Sequence, residues 1–258
     1  MNILMTGATG FIGRHLLRRL QRDHHSIKVL SRNAARAGQM LGVPAWDWDY
    51  ATQDVPTDAL RDCQVIIHLM GENLGQGRWT PERKREIYES RILSTRKLVT
   101  AAPASIKAFV CGSAIGIYPG NTDDVYDESY VMSAQPSFMQ TICRDWETEA
   151  ALIEHHGVRR VSIRTGVVLG DGGMLKKLLP VFKLGLGGPV GHGHQWLPWI
   201  HIADLVSVFA NAAVDSRYQG PINAVAPHPV RYREFAAALG KALHRPALLP
   251  VPAVMLKL

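Results

Sequence analysis

Cysteine is scarce in this chain: Cys63, Cys111 and Cys143 are three in number, far apart and without a C-x-x-C pair. That excludes a disulfide framework and suits free thiols in a reducing compartment. No apolar run approaches the roughly 18 residues that a membrane-spanning helix needs. Met1 leads straight into a strand-like run, leaving no room for a secretory leader, so the cytoplasm is the expected location. Internal repeats and low-complexity tracts are missing, which excludes solenoids and disordered linkers. A basic cluster interleaved with aromatics is missing too. Lys and Arg outnumber Asp and Glu by 29 to 22, a net charge of +7, but Arg14, Arg18, Arg19 and Arg22 fall on the outer side of the first predicted helix and the rest are scattered. The excess reads as a solvated face, with neither nucleic acid nor membrane as partner.

What is present is a long α/β pattern. Strand signals at 3–5, 27–30, 44–48, 65–70, 108–112 and 161–164 alternate with helical signals at 11–20, 81–101 and 137–156. This alternation, with 47% apolar residues in 258, predicts a Rossmann-like doubly wound parallel sheet covered on both faces. Beyond Thr165 the pattern changes to GDGG, LGLGGPVGHGH and LPW, then helices at 202–213 and 232–243. The expected organisation is a nucleotide-binding domain at 1–164 and a smaller substrate-side lobe at 165–258. The final LLPVPAVMLKL reads as an apolar helix start without a cap, so the chain looks truncated there.

The most informative segment is TGATGFIG, residues 6–13, set between a strand and a helix. Gly7, Gly10 and Gly13 lack a Cβ, so the chain can turn sharply, its backbone can approach a pyrophosphate and the helix can pack closely on the sheet. The run Thr9, Gly10, Phe11, Ile12 and Gly13 would present N–H groups and the positive end of the helix dipole to phosphates. The second strand ends in Ser31 and Arg32, where an NAD-selecting fold places a carboxylate against the ribose hydroxyls. An Arg suits a 2′-phosphate, so NADP(H) is preferred over NAD(H), with a merely solvated Arg as the competing reading.

The G-x-x-G-x-x-G spacing resembles that of short-chain dehydrogenases and reductases, in their extended, epimerase-like branch. TGATGFIG, HLMGENL with RWTPERKREIYESRI, GSAIGIY, WETEA, RTGVVLGDGGM, the stretch from KLGLGGP to LPWIHIADL, and RYREFAAALGKAL together resemble the atypical 39U-type members over nearly the whole chain. The resemblance implies an NADP(H)-binding Rossmann-like domain and a C-terminal lobe, in chains that run several tens of residues further, but no particular substrate. It places Leu69, Met70 and Gly71 along the adenosine and diphosphate side and Val167 and Val168 beside the nicotinamide.

The departures from the family pattern bear on chemistry. Short-chain reductases carry a Tyr and, four residues on, a Lys on one helix face for proton transfer. None of the seven tyrosines here is followed by such a Lys, and with Glu147 of WETEA as anchor the two places fall on Met139 and Cys143. Arg91 stands where the usual helix Asn would be. It reads as a phosphate or carboxamide contact or, alternatively, as an exposed residue beside Glu86 and Glu89. Ser113 remains, either to polarise a carbonyl or to hold a turn. Tyr118, the only nearby phenol expected at the cleft, is a candidate acid, with plain packing as the alternative. His192, His194 and His201 match no ordinary zinc spacing. Cys143 reads as a small buried residue rather than a nucleophile. Trp46, Trp48, Trp196 and Trp199 read as packing residues, with the last two also candidates for a substrate pocket. The expectation is an oxidoreductase or epimerase acting on an unspecified small molecule; the alternative is a cofactor-binding or redox-sensing protein that has lost catalysis. A homodimer is left open.

Overall fold

In the computed structural model, which describes residues 1–75, 77–120 and 122–249, the elements follow the expected alternation. They are β1 (Asn2–Thr6), α1 (Phe11–Arg22), β2 (Ser26–Ser31), α2 (Ala34–Leu41), β3 (Ala45–Asp47), α3 (Thr57–Leu60), β4 (Val65–His68), α4 (Pro81–Ala101), β5 (Ala108–Ala114), α5 (Phe138–Ala151), β6 (Arg159–Thr165) and β7 (Val167–Leu169). Then come α6 (Gly173–Lys183), β8 (Trp196–Leu197), β9 (Trp199–His201), α7 (Ile202–Val214), β10 (Gly220–Ala224), β11 (Val230–Arg231) and α8 (Tyr232–Ala242).

Seven strands form one parallel sheet in the order β10-β6-β5-β4-β1-β2-β3. Strands buried on both faces should be near-continuously apolar rather than alternating, as the central β1, β4 and the first half of β5 are, whereas β6 carries Arg160, Ser162 and Arg164. Ile3 and Met5 of β1 pack with Leu16, Leu20 and Phe209 of α1 and α7. Leu4 between them turns to the opposite core, shared with Ile92, Leu98 and Trp146 of α4 and α5. The strand order reverses between β1 and β4, and in doubly wound sheets ligands bind where the carboxyl ends of two such strands diverge.

The structure also redraws the expected organisation. Strand β10 pairs with β6, and α7 packs in the same core as α1, so the sheet layer takes two elements from beyond residue 165. The remaining C-terminal elements gather round a satellite core of Phe182, Val190, Leu197, Tyr232 and Ala236. The helix expected at 137–156 ends at Ala151 and continues as a 3-10 turn over Leu152–His156. The capless apolar stretch expected at the chain's end falls largely on 250–258, outside the described residues. Among the described residues no helix is long and apolar enough to cross a membrane.

Candidate functional site

The turn after β1 assigns each glycine a separate task. Gly7 adopts φ +68°, and a Cβ there would stand 2.7 Å from the backbone of Leu69 in the loop after β4. A Cβ on Gly13 would lie 2.3 Å from the Gly7 carbonyl oxygen, so this glycine lets α1 sit on its own strand. Gly10 differs. Its φ of −73° suits any residue, and a Cβ would meet only the Gly7 oxygen, at 3.2 Å. Its two chain neighbours aside, no other heavy atom of the described residues comes within 4 Å of that position.

Gly10 begins α1 without a side-chain cap or an acidic residue in the first turn. The first backbone bond of the helix runs from Arg14 N–H to the Gly10 carbonyl, leaving the N–H groups of Phe11, Ile12 and Gly13 without intrahelical partners. Thr9 and Gly10 are exposed, and Phe11 and Ile12 half-buried. The Phe11 ring occupies the space that a Cβ on Gly170 or Gly172 would need, with closest approaches of 2.9 and 2.5 Å. The GDGG segment is therefore the seat of that ring.

Across the turn lie Leu69, Met70 and Gly71, tied to β1 by the Met70 N–H donating to Thr6 Oγ1 at 3.3 Å. Ser90 and Arg91 of α4 hold this loop from below. Ser90 Oγ accepts from the Glu72 N–H at 3.0 Å, and Arg91 donates to the carbonyls of Glu72 and Ile87 at 3.1 and 2.9 Å. The guanidinium fills the space beneath Gly71, where a Cβ would lie 2.9 Å from Cζ. Arg91 is thus buried rather than an exposed partner of Glu86 and Glu89, and that burial lowers its pKa. At the end of β2, Ser31 Oγ accepts from the Asn33 N–H, while Arg32 is 73% exposed and 3.5 Å from Glu72.

The other half of the site is built by strand register. Ser113 of β5, Arg164 of β6 and Asn223 of β10 are direct neighbours in adjacent parallel strands, so their side chains form one row on one face. Glu147 of α5 comes down onto that row and accepts from Ser113 Oγ at 2.6 Å and from Arg164 Nε and Nη2 at 2.9 Å each. Arg164 Nη1 donates to the Tyr118 hydroxyl at 2.9 Å, and Tyr118 donates to Asn223 Oδ1 at 2.7 Å. Burial pulls the Arg164 pKa down, but its bonds to Glu147 more than offset this and hold it above the usual arginine value.

This arrangement alters two expectations. The Ser113 hydroxyl is turned to Glu147, so it is not free to polarise a carbonyl while that bond stands. Tyr118 is not a lone phenol: its ring stacks on Tyr126 at 5.7 Å and meets Tyr130 edge-on at 5.5 Å. Met139 and Cys143 do face the end of β5, where a Cβ on Gly116 would touch Met139 Cε at 3.3 Å and Cys143 Sγ at 3.6 Å. Burial, reinforced by the nearby Glu147 charge, pushes the Cys143 thiol up to about 12, which leaves it protonated and unreactive.

Tyr118 opens onto a cavity of about 600 Å³ beyond the ends of β5 and β10, walled also by Tyr126, Trp196, Pro198 and Val225. Pro198 and Val225 flank Gly166, just before Val167 and Val168 of β7. Trp199, by contrast, donates its Nε1 to the His228 carbonyl. His201 caps α7 by accepting from the Ala203 N–H, and His192 Nδ1 accepts from the His194 N–H.

Several contributors escaped sequence reasoning. Glu147 served there only as an anchor for the helix, Arg164 entered only as the first residue of RTGVVLGDGGM, and Asn223 and Tyr126 carried no motif of their own. His68 is wholly buried, with Nδ1 2.7 Å from Thr6 Oγ1 and Nε2 3.1 Å from Ser94 Oγ. The spacing of S-x-x-x-S on α4 and a histidine closing an apolar strand were the available signals.

Comparison with known proteins agrees with this architecture. The chain is 40% identical to the Arabidopsis thaliana protein "Epimerase family protein SDR39U1 homolog, chloroplastic", over all of this chain and 75% of the relative. A crystal structure of human epimerase family protein SDR39U1, solved with NADPH, is 34% identical and superposes with a TM-score of 0.87, covering 99% of this chain and 84% of that one. A nucleoside-diphosphate sugar epimerase from Corynebacterium glutamicum is 32% identical with a TM-score of 0.78, covering 99% of this chain and 54% of its own. Residues 3–223 match the model of the NAD dependent epimerase/dehydratase family, and the chain belongs to that family.

Proposed function

We propose that the protein is an NADP(H)-dependent oxidoreductase or epimerase of the cytoplasm, acting on a small molecule held beside Tyr118. The observation that carries this reading is the uncapped start of α1 behind an open Gly10, with Arg32 at the neighbouring strand end. Free N–H groups, no competing carboxylate in the first turn and room at Gly10 are what a pyrophosphate requires. Arg32 would leave an exposed contact with Glu72, worth at most about 1 kcal/mol, for a 2′-phosphate. Leu69, Met70 and Gly71 would pass the diphosphate side with Arg91 beneath them, and Val167 and Val168 would flank the nicotinamide. The NADPH-bound human relative supports the same choice of cofactor. When bound, the cofactor supplies hydride transfer.

The chain's own residues would handle the proton. Tyr118 lines the cavity, and in this reading its hydroxyl turns its proton from Asn223 to a substrate oxygen, while Arg164 donates to the phenol oxygen as that proton leaves. Glu147, itself held by the Ser113 hydroxyl, holds Arg164 in place from behind. This replaces the helical Tyr and Lys whose places Met139 and Cys143 occupy.

The test is NADPH binding by titration calorimetry, followed by NADPH oxidation against a carbonyl panel with wild type, Ser113→Ala, Tyr118→Phe and Cys143→Ser. Loss of turnover in Tyr118→Phe with retention in Cys143→Ser is expected. Equal turnover in wild type and Tyr118→Phe would overturn the acid assignment. Tight NADPH binding with no turnover on any substrate would favour the second reading, a cofactor-binding sensor, which draws on Met139, Cys143 and the engaged Ser113.

A further inference from the structure

Resting on the reading that the cavity beside Tyr118 holds the substrate, we infer that its occupant is an uncharged, flat, apolar ring compound bearing a carbonyl or hydroxyl, and not a sugar nucleotide. Its walls are built largely from aromatic and aliphatic residues, Tyr118, Tyr126, Trp196, Val125 and Val225 among others. Val125 stands in this wall yet is 97% exposed, an apolar side chain with only solvent over it. Such surface is stabilised when an apolar ligand covers it, and flat rings gain further from offset or edge contacts with Tyr and Trp.

Charge decides against a diphosphate. Among the described lining residues there is no Lys or Arg, but there are two carboxylates, Asp123 and Asp124. Asp123 is neutralised by Arg231 Nη2 at 2.7 Å and also accepts from Trp196 Nε1 at 2.9 Å. The Arg231 guanidinium carbon sits over the Trp196 ring, 3.7 Å from its centroid, and Nη1 donates to the His194 carbonyl at 2.6 Å, so its fork is committed to the wall. Asp124 accepts from the Thr122 and Tyr126 hydroxyls, neither of which carries charge. The cation behind Tyr118, Arg164, has a side chain only 5% exposed and is held by Glu147. An entering diphosphate would lose hydration, meet the Asp124 charge and find no free guanidinium fork, which is the group that recognises such anions. A neutral ring gives up only apolar hydration, and its one oxygen meets the Tyr118 hydroxyl.

The experiment titrates the full chain, with and without saturating NADPH, with tetralone and naphthaldehyde as ring carbonyls and with UDP-glucose and UDP as diphosphates. Binding is read by ligand-observed saturation-transfer NMR and tryptophan fluorescence. The ring carbonyls are expected to bind at least tenfold more tightly than either diphosphate. Val125→Asp, at an exposed position, should weaken ring binding about tenfold with an unchanged melting temperature. Tighter binding of UDP-glucose or UDP overturns the inference, as does failure of both ring carbonyls to bind or an unaltered affinity in Val125→Asp. Failure of NADPH itself to bind overturns the cofactor reading instead, because occupancy of the cavity is measured separately in the cofactor-free titration.

Discussion

Replacing Glu147 by Gln removes one charge from the centre of the site while keeping the side chain's shape, and the cost can be worked from the geometry around it. The Arg164 and Glu147 side chains are 5% and 12% exposed and share two bonds of 2.9 Å, with a third from Ser113. In Glu147→Gln the guanidinium faces a neutral amide, which can accept one of those bonds but turns N–H groups toward N–H groups elsewhere. Besides that one bond Arg164 keeps the Tyr118 oxygen and, at 3.3 Å, the Glu128 carbonyl, and among the described residues no anion. Removing one partner of a buried pair costs about 3–5 kcal/mol, because the desolvated charge left behind is uncompensated. For a domain of this size that corresponds to a drop in melting temperature of about 10 °C. Asp215→Asn serves as a control, since its partner Arg217 is 88% exposed and the pair should contribute under about 1 kcal/mol. Adding Arg164→Met to Glu147→Gln removes the orphaned charge and should recover part of the loss, though not Tyr118-dependent turnover. The assay is differential scanning calorimetry of the four proteins. If Glu147→Gln melts within about 2 °C of wild type, the claim that this ion pair organises the site is refuted.

Gly10→Val should abolish NADPH binding while costing at most about 1 kcal/mol of stability, since φ is compatible and only the Gly7 oxygen lies near. Circular dichroism with a cofactor thermal shift would show it, and either normal binding or an unfolded variant contradicts the reading. Arg32→Ala should weaken NADPH by about 1.5–3 kcal/mol and leave NADH unchanged, as followed by calorimetry; equal losses for both cofactors would sink the 2′-phosphate assignment. His68 is held neutral by burial and by the Arg91 charge, with its pKa lowered to about 3. The unfolded chain takes up that proton first, near pH 6.5, so stability present above this pH should fall as the pH drops toward 3, by up to about 1.4 kcal/mol per unit. Urea midpoints that stay flat between neutral pH and about pH 4 would contradict this. The three buried thiols should resist iodoacetamide at mildly alkaline pH until the protein unfolds, Cys143 included; rapid labelling of the native protein would show that its environment has been misjudged.

The strand, turn and helix proposed to hold the cofactor were legible in the residues because their determinants are local. A strand, a turn of three glycines and a helix lie within Asn2–Arg22, and the absent Cβ atoms act on neighbours a few positions away or on the adjoining strand end. The parallel sheet was legible for a similar reason, since near-continuous apolar runs such as 3–5 and 65–67 announce burial on both faces. The proposal at the end of β2 likewise rests on Ser31 and Arg32 alone. The half proposed for catalysis was decided by tertiary structure. Ser113, Arg164 and Asn223 become neighbours only through strand register, Glu147 reaches them 34 and 17 positions from Ser113 and Arg164, and Tyr118 meets Asn223 across 105. No periodicity encodes such a row, and a Glu and an Arg in a sequence read first as surface residues. Arg91 shows the same limit, because its burial beneath Gly71 depends on where α4 packs. Strand order carried β10 and its Asn223 into the main sheet, and with them one wall of the cavity beside Tyr118, since pairing with β6 satisfies an edge that local propensity cannot assign.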